Sequence, residues 1–299
     1  MKQLKLGWLL LALFASATCT ALSAGQGASA TLPLRLRRLV RTSPGSDQWR
    51  QVVTPVQWDA RHTAVVICDM WNQHWCKGAT ARVAEMAPRM NQVISALRRR
   101  GLLIIHCPSD TMAYYKGTPG RKLAQAAPKV DLAPILKRFQ DRAPKHEPPL
   151  PIDDSDGGCD DQPQCNSNPP YPWKHEINTL KIEPGDAITD SIQAYYLMHE
   201  RGITNVIIMG VHENMCILDR PFGIRQLVKL GQNVALMRDL TDTMYNHRRR
   251  PWVSHFTGTD LVCWHIEKYW CPTLTSDQIL GGQPFRFKAD TQPPRVFRN

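Results

Sequence analysis

Residues 205–217 read NVIIMGVHENMCI, and this stretch decides the expected fold. Its first half is a continuous apolar run that ends at Gly210, which is typical of a buried parallel strand followed by a sharp turn. Cys216 follows at the point where a helix is expected to begin. Unpaired N–H groups at a helix N-terminus create a positive field that stabilises a thiolate. The stretch therefore predicts a strand–turn–helix unit carrying a nucleophilic cysteine, with a buried structural cysteine as the competing interpretation.

A second apolar run places a carboxylate in an equivalent position. Residues 64–68 read AVVIC and are followed directly by Asp69. In open α/β sheets, sites form outside the carboxyl ends of the strands. We therefore expect Asp69 and Cys216 to lie at the same edge of one sheet.

Strand and helix patterns alternate along most of the chain, which predicts a three-layer α/β/α fold with a central, mostly parallel, Rossmann-like sheet. Helical spacing over residues 80–100 ends at Gly101, and Pro88 is a position where that helix could break. The other predicted strands cover residues 102–106, 186–188, 205–209, 233–237 and 272–275, and the other predicted helices cover residues 134–139, 192–201, 216–230 and 259–270.

The first residues have the form of an export signal. Lys2 and Lys5 precede an apolar core at residues 8–17, and small residues follow up to Ala24. The apolar core is too short to span a membrane comfortably, and an uncleaved anchor is the alternative to a cleaved signal. We expect residues 1–24 to be cleaved, the mature protein to be periplasmic or secreted, and no membrane span beyond the signal.

The remainder divides into three segments. Residues 25–60 are expected to be an exposed N-terminal lead-in, and residues 61–290 are expected to form the folded domain. Residues 143–173 are rich in Pro and polar side chains and predict an irregular insertion within that domain. Loops of this length are usually functional or mobile, and whether this one is a lid stays open.

The chain is basic, with a formal charge of +11 that becomes +9 when the two signal lysines are removed. Basic clusters at residues 35–41, 98–100 and 248–250 can bind nucleic acid or anionic polymers, but solvated surfaces are the favoured interpretation. No nucleic-acid-binding module is recognisable, and aromatic residues are not interleaved with the basic ones. We predict no nucleic-acid partner; a basic module that binds a polyanion is the weakest alternative.

Nine cysteines are present, of which Cys19 falls in the signal. An exported protein can keep disulfides, and a local Cys159–Cys165 bridge within the insertion is the predicted one. Buried thiols are expected for the three cysteines in or beside apolar runs, Cys68, Cys107 and Cys263. No prediction is made for Cys76 and Cys271.

Three stretches carry a resemblance to a known superfamily. They are VVICDMWNQHWC at residues 65–76, MGVHENMCI at residues 209–217 and LVKLGQNVALMRDLTD at residues 227–242. Over residues 63–280 the chain resembles the isochorismatase-like cysteine hydrolases, which include nicotinamidases and N-carbamoyl amidohydrolases. The resemblance implies the isochorismatase-like fold and, as in many members, a homo-oligomer.

The resemblance also implies roles for particular residues. Asp69 maps to the general base and Cys216 to the nucleophile, while the backbone N–H groups of Met215 and Cys216 would bind the oxyanion. A cis peptide is implied between Val211 and His212. The third catalytic residue of the family is a lysine, for which Lys181 is the first candidate and Lys174 the second, although Glu183 falls closer to the expected place.

Neighbouring side chains are expected to contact a small-molecule substrate: Trp71, Asn72, His212 and Glu213. A polar group after the cysteine could bind substrate or form a structural Arg–Asp network: Arg220, Arg225, Asp239, Asp242, Tyr245 and Asn246. His106 and Asp110, near the end of the second strand, are too few for a metal ligand set. We therefore predict no metal and no cofactor.

The combined prediction is an exported cysteine hydrolase that cleaves a small amide, ester or related C–N or C–O bond through a thioester-type intermediate. The alternative from another class is a catalytically silent binding or surface protein that keeps the same fold.

Overall fold

Residues 31–297 are described by a computed structural model, so the predicted signal at residues 1–24 lies outside the described residues. One eight-stranded sheet with the order β2-β1-β8-β7-β6-β3-β4-β5 organises the chain. Its strands are β1 (Thr31–Arg41), β2 (Trp49–Asp59), β3 (Thr63–Cys68), β4 (Leu103–Cys107), β5 (Ala187–Ile188), β6 (Asn205–Val211), β7 (Asn233–Asp242) and β8 (Thr273–Leu274).

Within residues 31–297, eight α-helices connect or follow the strands, and 3-10 turns occur at Ala60–His62 and Gln140–Arg142. The helices are α1 (Lys77–Arg99), α2 (Pro119–Ala126), α3 (Ala133–Arg138), α4 (Gln193–Glu200), α5 (Cys216–Asp219), α6 (Ile224–Lys229), α7 (His255–Tyr269) and α8 (Asp277–Leu280). Among residues 31–297, no helix is long and apolar enough to cross a membrane.

Apolar side chains fill both faces of the sheet. Along β3, Val65 and Ile67 pack with the apolar side of α1, whereas Val66 and Cys68 point to the opposite face. Helices α4, α6 and α7 cover that second face. Both β3 and β6 are buried throughout, which is why they are apolar runs rather than alternating patterns. The predicted three-layer α/β/α fold with a mostly parallel sheet is confirmed.

The segment predicted as an exposed lead-in is part of the sheet instead. Strands β1 and β2 form an antiparallel hairpin, and β1 pairs with β8 through Arg37 and Thr273. Leu32, Leu34 and Leu36 alternate with exposed residues and are buried in the core shared with α1. This period-two pattern was present in the sequence, but the basic and proline residues between the leucines obscured it.

Two helices differ from their predicted bounds. Helix α1 runs uninterrupted through Pro88, so that proline does not break it. The helix expected over residues 216–230 is divided into α5 and α6, with Pro221 between them. As predicted, the insertion contains no helix or strand between residues 143 and 173.

Gly210 permits the closest approach between the two central strands. It lies opposite Cys68 in the β3–β6 register and has a φ of +113°. A Cβ at this position would lie 2.1 Å from the carbonyl oxygen of Cys68. Only glycine fits both the backbone angle and this contact.

Gly210→Ala is therefore expected to lower the free energy of unfolding by about 3 kcal/mol or more, since the backbone must shift to relieve the clash. Guanidinium unfolding followed by circular dichroism measures the loss. Gly101→Ala is the matched control, because Gly101 also has a positive φ but open space around it. The control should lose only about 1–2 kcal/mol; equal losses for both variants would contradict the proposed clash.

Candidate active site

Asp69 lies directly after β3 with its side chain fully buried. Its Oδ1 accepts a 2.7 Å hydrogen bond from the backbone N–H of Ser109, which follows β4. Burial raises the pKa of Asp69 to about 6, although the Cys216 thiol, Ser109 and the Arg220 guanidinium each lower it. The carboxylate is therefore held in place and titrates near neutral pH, as a general base requires.

Cys216 is the first residue of α5 and is partly exposed. Burial and the nearby Asp69 carboxylate raise the pKa of the thiol, and Arg220 opposes them. The sequence predicted the opposite direction, from the field of a long helix. Helix α5 has only four residues, so its field is weak, and the resting cysteine is a thiol.

Arg220 is the cation at this site, and sequence reasoning did not assign it a catalytic role. Its Nε lies 3.8 Å from Oδ2 of Asp69, and its Nη2 lies 3.3 Å from Oδ2 of Asp110. It also interacts with the thiol of Cys216, four residues earlier in the chain. That i, i+4 spacing was the available signal, because it places two side chains on the same side of a helical turn.

Lys181, the first candidate for the family lysine, is not brought to this site. Its Nζ donates to the carbonyl of Asn178 at 3.1 Å, and it lines a surface cavity of about 280 Å³ together with Tyr114 and His175. Lys174 contributes its backbone N–H to Asn72, and its side chain is exposed. Within the described residues, neither lysine contacts Asp69 or Cys216.

The two backbone N–H groups that the resemblance assigns to an oxyanion have different partners. The N–H of Met215 donates to the carbonyl of His212 at 3.0 Å, so it is already occupied. The N–H of Cys216 has no acceptor among residues 31–297. The peptide bond between Val211 and His212 is cis, at the position where the resemblance places such a bond.

Aromatic side chains stack beside Asp69. Trp71 packs against Trp173 at 4.4 Å between ring centroids, and Tyr171 covers the other face of Trp173 at 4.3 Å. Trp71 also donates its indole N–H to the carbonyl of Ser109 at 2.9 Å. Asn72 accepts from the backbone N–H groups of Lys174 and His175. Trp71 and Asn72 thus anchor the end of the insertion next to the Asp69 loop.

His212 and Glu213, which follow β6 and were predicted to bind substrate, have different surroundings. His212 is buried, burial lowers its pKa, and its ring lies edge-on to that of His74 at 4.9 Å. Glu213 points toward α7, where its carboxyl group interacts with Cys263. Burial raises the pKa of Glu213, so this carboxyl is neutral and belongs to the core rather than to the cysteine site.

The polar residues that follow Cys216 in the chain, apart from Arg220, form structural networks. Asp242 binds Arg82 and His255, and Asp239 accepts from Ser276 and the backbone N–H of Phe285. Arg225 pairs with Glu147 and Asp219, Asn246 donates to Asp156, and Tyr245 donates to the carbonyl of Arg249. Of this group, Arg220 alone is described in contact with Asp69.

His106 forms a buried charged cluster instead of a metal site. Its Nδ1 lies 2.7 Å from Glu176 and its Nε2 lies 3.4 Å from Asp186, which also binds Arg98. Burial lowers the pKa of His106, but the two carboxylates outweigh burial and raise it to about 9. The imidazole is therefore protonated at neutral pH and links β4 to the segment before β5.

The site combines a thiol, a carboxylate and a guanidinium at the carboxyl edge of a parallel α/β sheet. In the three-dimensional comparison, the chain is similar to solved structures of a cysteine hydrolase, an isochorismatase and an amidase. A cysteine hydrolase from Pseudomonas syringae pv. phaseolicola 1448A is 14% identical, with a TM-score of 0.45, over 75% of this chain and 92% of that one.

Two other solved structures have comparable similarity. An isochorismatase from Pseudomonas putida KT2440 is 12% identical with a TM-score of 0.45, covering 73% of this chain and 89% of that one. An N-carbamoylsarcosine amidase from Thermoplasma acidophilum is 13% identical with a TM-score of 0.34, covering 60% and 83%. No family model and no curated protein match the chain in sequence.

Thiol reactivity tests the electrostatics of this site. Asp69→Asn removes the charge that raises the pKa of Cys216, so alkylation at pH 7–8 is expected to become faster. Arg220→Met removes the opposing cation and should slow alkylation. Iodoacetamide labelling at a series of pH values, with mass spectrometry of the Cys216 peptide, measures both. Lys181→Met serves as the control and should leave the profile unchanged; the same direction for Asp69→Asn and Arg220→Met would contradict this description.

The buried cluster around His106 predicts a pH-dependent stability. Since the pKa of His106 is raised from 6.5 to about 9, its contribution is fully present below pH 6.5 and is lost as the pH rises through 9. The stability difference between wild type and His106→Gln should shrink by about 3 kcal/mol between pH 6 and pH 10. Guanidinium unfolding at the two pH values measures it. His199→Gln, at an exposed histidine, is the control; a pH-independent difference would rule out the charged imidazole.

Proposed function

We propose that this protein is an exported cysteine hydrolase that cleaves a small amide, ester or related C–N or C–O bond. One observation carries the proposal: the thiol of Cys216, the carboxylate of Asp69 and the guanidinium of Arg220 interact at the carboxyl edge of β3 and β6. A nucleophile within reach of a positioned base is the arrangement that covalent hydrolysis requires. Export is proposed from the sequence of residues 1–24.

In the first step, Asp69 accepts the thiol proton while the sulfur attacks the substrate carbonyl. The pKa of the thiol is raised, so proton transfer accompanies the attack rather than preceding it. Arg220 stabilises the negative charge that develops on the sulfur. The free N–H of Cys216 is placed to donate to the oxyanion of the tetrahedral intermediate.

In the second step, the intermediate collapses and the C–N or C–O bond breaks. Protonated Asp69 returns its proton to the leaving nitrogen or oxygen, which departs as an amine or alcohol. The acyl group stays on Cys216 as a thioester. Asp69, again a carboxylate, then accepts a proton from water as the water attacks the thioester. The C–S bond breaks, the carboxylic acid leaves, and Asp69 returns the proton to the sulfur to restore the free thiol.

Arg220 takes the position in this mechanism that the resemblance gives to a lysine. A guanidinium keeps its charge at any physiological pH, and its planar fork can contact Asp69 and Asp110 together. Burial lowers the pKa of Arg220, but Cys216 and Asp69 outweigh burial and raise it, so the guanidinium stays charged. Lys181 has no role in this mechanism.

Acyl-enzyme trapping tests the proposal without knowledge of the natural substrate. p-Nitrophenyl acetate should acetylate Cys216 and release p-nitrophenolate, at a rate that rises through about pH 6 as Asp69 ionises. Cys216→Ala should abolish acetylation, and Asp69→Asn should slow it by roughly 10²–10⁴-fold. Arg220→Lys should retain more activity than Arg220→Met, and Lys181→Met should match the wild type. The visible absorbance of p-nitrophenolate and intact mass spectrometry report the two products.

The contrary result is also informative. If Cys216 is not acetylated, and a panel of primary amides, N-carbamoyl amino acids and esters is not hydrolysed, the catalytic proposal fails. The catalytically silent binding protein would then replace it. A rate that is unaffected by Arg220→Met would keep the nucleophile but remove Arg220 from the mechanism.

A further inference from the structure

Three cysteines outside the active site surround one carboxylate oxygen. The sulfurs of Cys165, Cys159 and Cys76 lie 3.0, 3.4 and 3.5 Å from Oδ2 of Asp161. Cys76 precedes α1, whereas the other three residues belong to the insertion. The four side chains are called the Cys₃Asp cluster below. All its cysteines are free thiols, so the predicted Cys159–Cys165 disulfide is not present.

We propose that the Cys₃Asp cluster is a structural site for Zn²⁺. Zinc takes four ligands in a tetrahedron, with thiolates and carboxylates among its preferred donors. At a Zn–S distance of about 2.3 Å, tetrahedral ligand atoms lie about 3.8 Å apart. The donor atoms of Cys76, Cys159 and Asp161 all lie within 4.8 Å of one another, so small side-chain movements would close the site around an ion.

Burial of the donors suits a structural rather than an open catalytic site. Cys76 and Cys159 are completely buried, and Cys165 is partly exposed. Four protein donors would complete the coordination sphere, with no position left for a substrate. The prediction of no metal concerned ligands near His106, whereas Cys76 and Cys159 lie far apart in the chain and only folding brings them together.

The surroundings of the cluster stabilise negative charge. Asp161 accepts from the backbone N–H groups of Lys77 and Gly78 at 2.7 and 3.0 Å, at the start of the 23-residue helix α1. The N–H of Ala79 donates to the sulfur of Cys76 at 3.4 Å. Arg82, one turn further, binds the adjacent Asp160. Helix N-terminal N–H groups and a nearby guanidinium favour the ionised forms of the ligands.

Proton balance shows what binding entails. Each of the three thiols donates its S–H to Oδ2 of Asp161. Binding of Zn²⁺ would displace these three thiol protons to solvent, with no change of oxidation state. Affinity should consequently fall as the pH falls.

A disulfide fits this geometry less well than a metal. One bond would join two of the three sulfurs and leave the third unpaired, and the carboxylate at the centre would serve no purpose. Asp161 is instead fixed by backbone donors with Oδ2 turned toward all three sulfurs. Three thiolate sulfurs and one carboxylate oxygen match the number and kind of donors that a tetrahedral zinc ion takes.

The proposed ion would fasten the insertion to the catalytic domain. Gly158 allows the insertion to pass close to β7's C-terminal extension, where an added Cβ would lie 2.2 Å from the carbonyl oxygen of Met244. The ion would add a link to Cys76, seven residues after Asp69. Further along the insertion, Trp173 stacks on Trp71. Loss of the ion should therefore loosen the wall of aromatic residues beside the active site.

Metal analysis of the full chain tests the proposal. Protein purified without chelators should contain about one zinc per chain by plasma mass spectrometry. Cys165→Ala and Asp161→Asn should each lower the zinc affinity roughly tenfold or more. Cys271→Ala, at a buried cysteine outside the cluster, is the matched control and should keep the metal. Limited proteolysis should cut residues 143–173 of the wild type faster after chelation of the metal. Addition of zinc to the chelated protein should return the cleavage rate to its original value.

Cobalt provides a readout that does not depend on variants that may fail to fold. Reduced apo wild-type protein titrated with Co²⁺ should show thiolate-to-metal charge-transfer bands and the visible bands of a tetrahedral site, and Zn²⁺ should abolish both. Three outcomes would overturn the proposal: no uptake of Zn²⁺ or Co²⁺, uptake that Cys165→Ala and Asp161→Asn leave unchanged, or a disulfide among the three cysteines in the exported protein.

Discussion

Parallel hydrogen bonding between β3 and β6, in a register that sets Cys68 opposite Gly210, is the constraint on which the candidate site depends. Because both strands run in the same direction, the residues that follow them meet at one edge of the sheet. Asp69 and Cys216 are 147 positions apart in the chain and interact only because of this pairing. Gly210 makes the pairing possible, since a larger residue would collide with the backbone of β3.

Charge balance at that edge explains why a buried carboxylate and a thiol can share a small space. Asp69 has one oxygen fixed by Ser109, and its other oxygen faces the guanidinium of Arg220. Burial raises the pKa of the Asp69 carboxyl and of the Cys216 thiol, and the guanidinium of Arg220 lowers both. Arg220 is connected in turn to Asp110, after β4. The loops after β3, β4 and β6 are thus joined through electrostatics as well as through the sheet.

The insertion is irregular in structure but firmly attached. Its end pairs with the Asp69 loop through Asn72 and an isolated bridge between Trp71 and Glu176. Glu176 in turn belongs to the charged cluster around His106. The Cys₃Asp cluster attaches the middle of the insertion to the start of α1. Because this segment has no helix or strand, it lacks their regular backbone hydrogen bonds, and side-chain contacts hold it in place instead. Such contacts allow a long loop to stay ordered.

The sequence by itself determined the elements that depend on local pattern: the buried strands β3 and β6, the alternation that implies a parallel sheet, and the positions of Asp69 and Cys216 at strand ends. Tertiary structure decided the pairing of β1 with β8, the absence of Lys181 from the site, and the assembly of the Cys₃Asp cluster. Apolar periodicity reflects which residues are buried, so burial can be inferred from the sequence pattern. Which charges and thiols meet depends on loop paths and on contacts between residues far apart in the chain, and no local pattern encodes those distances.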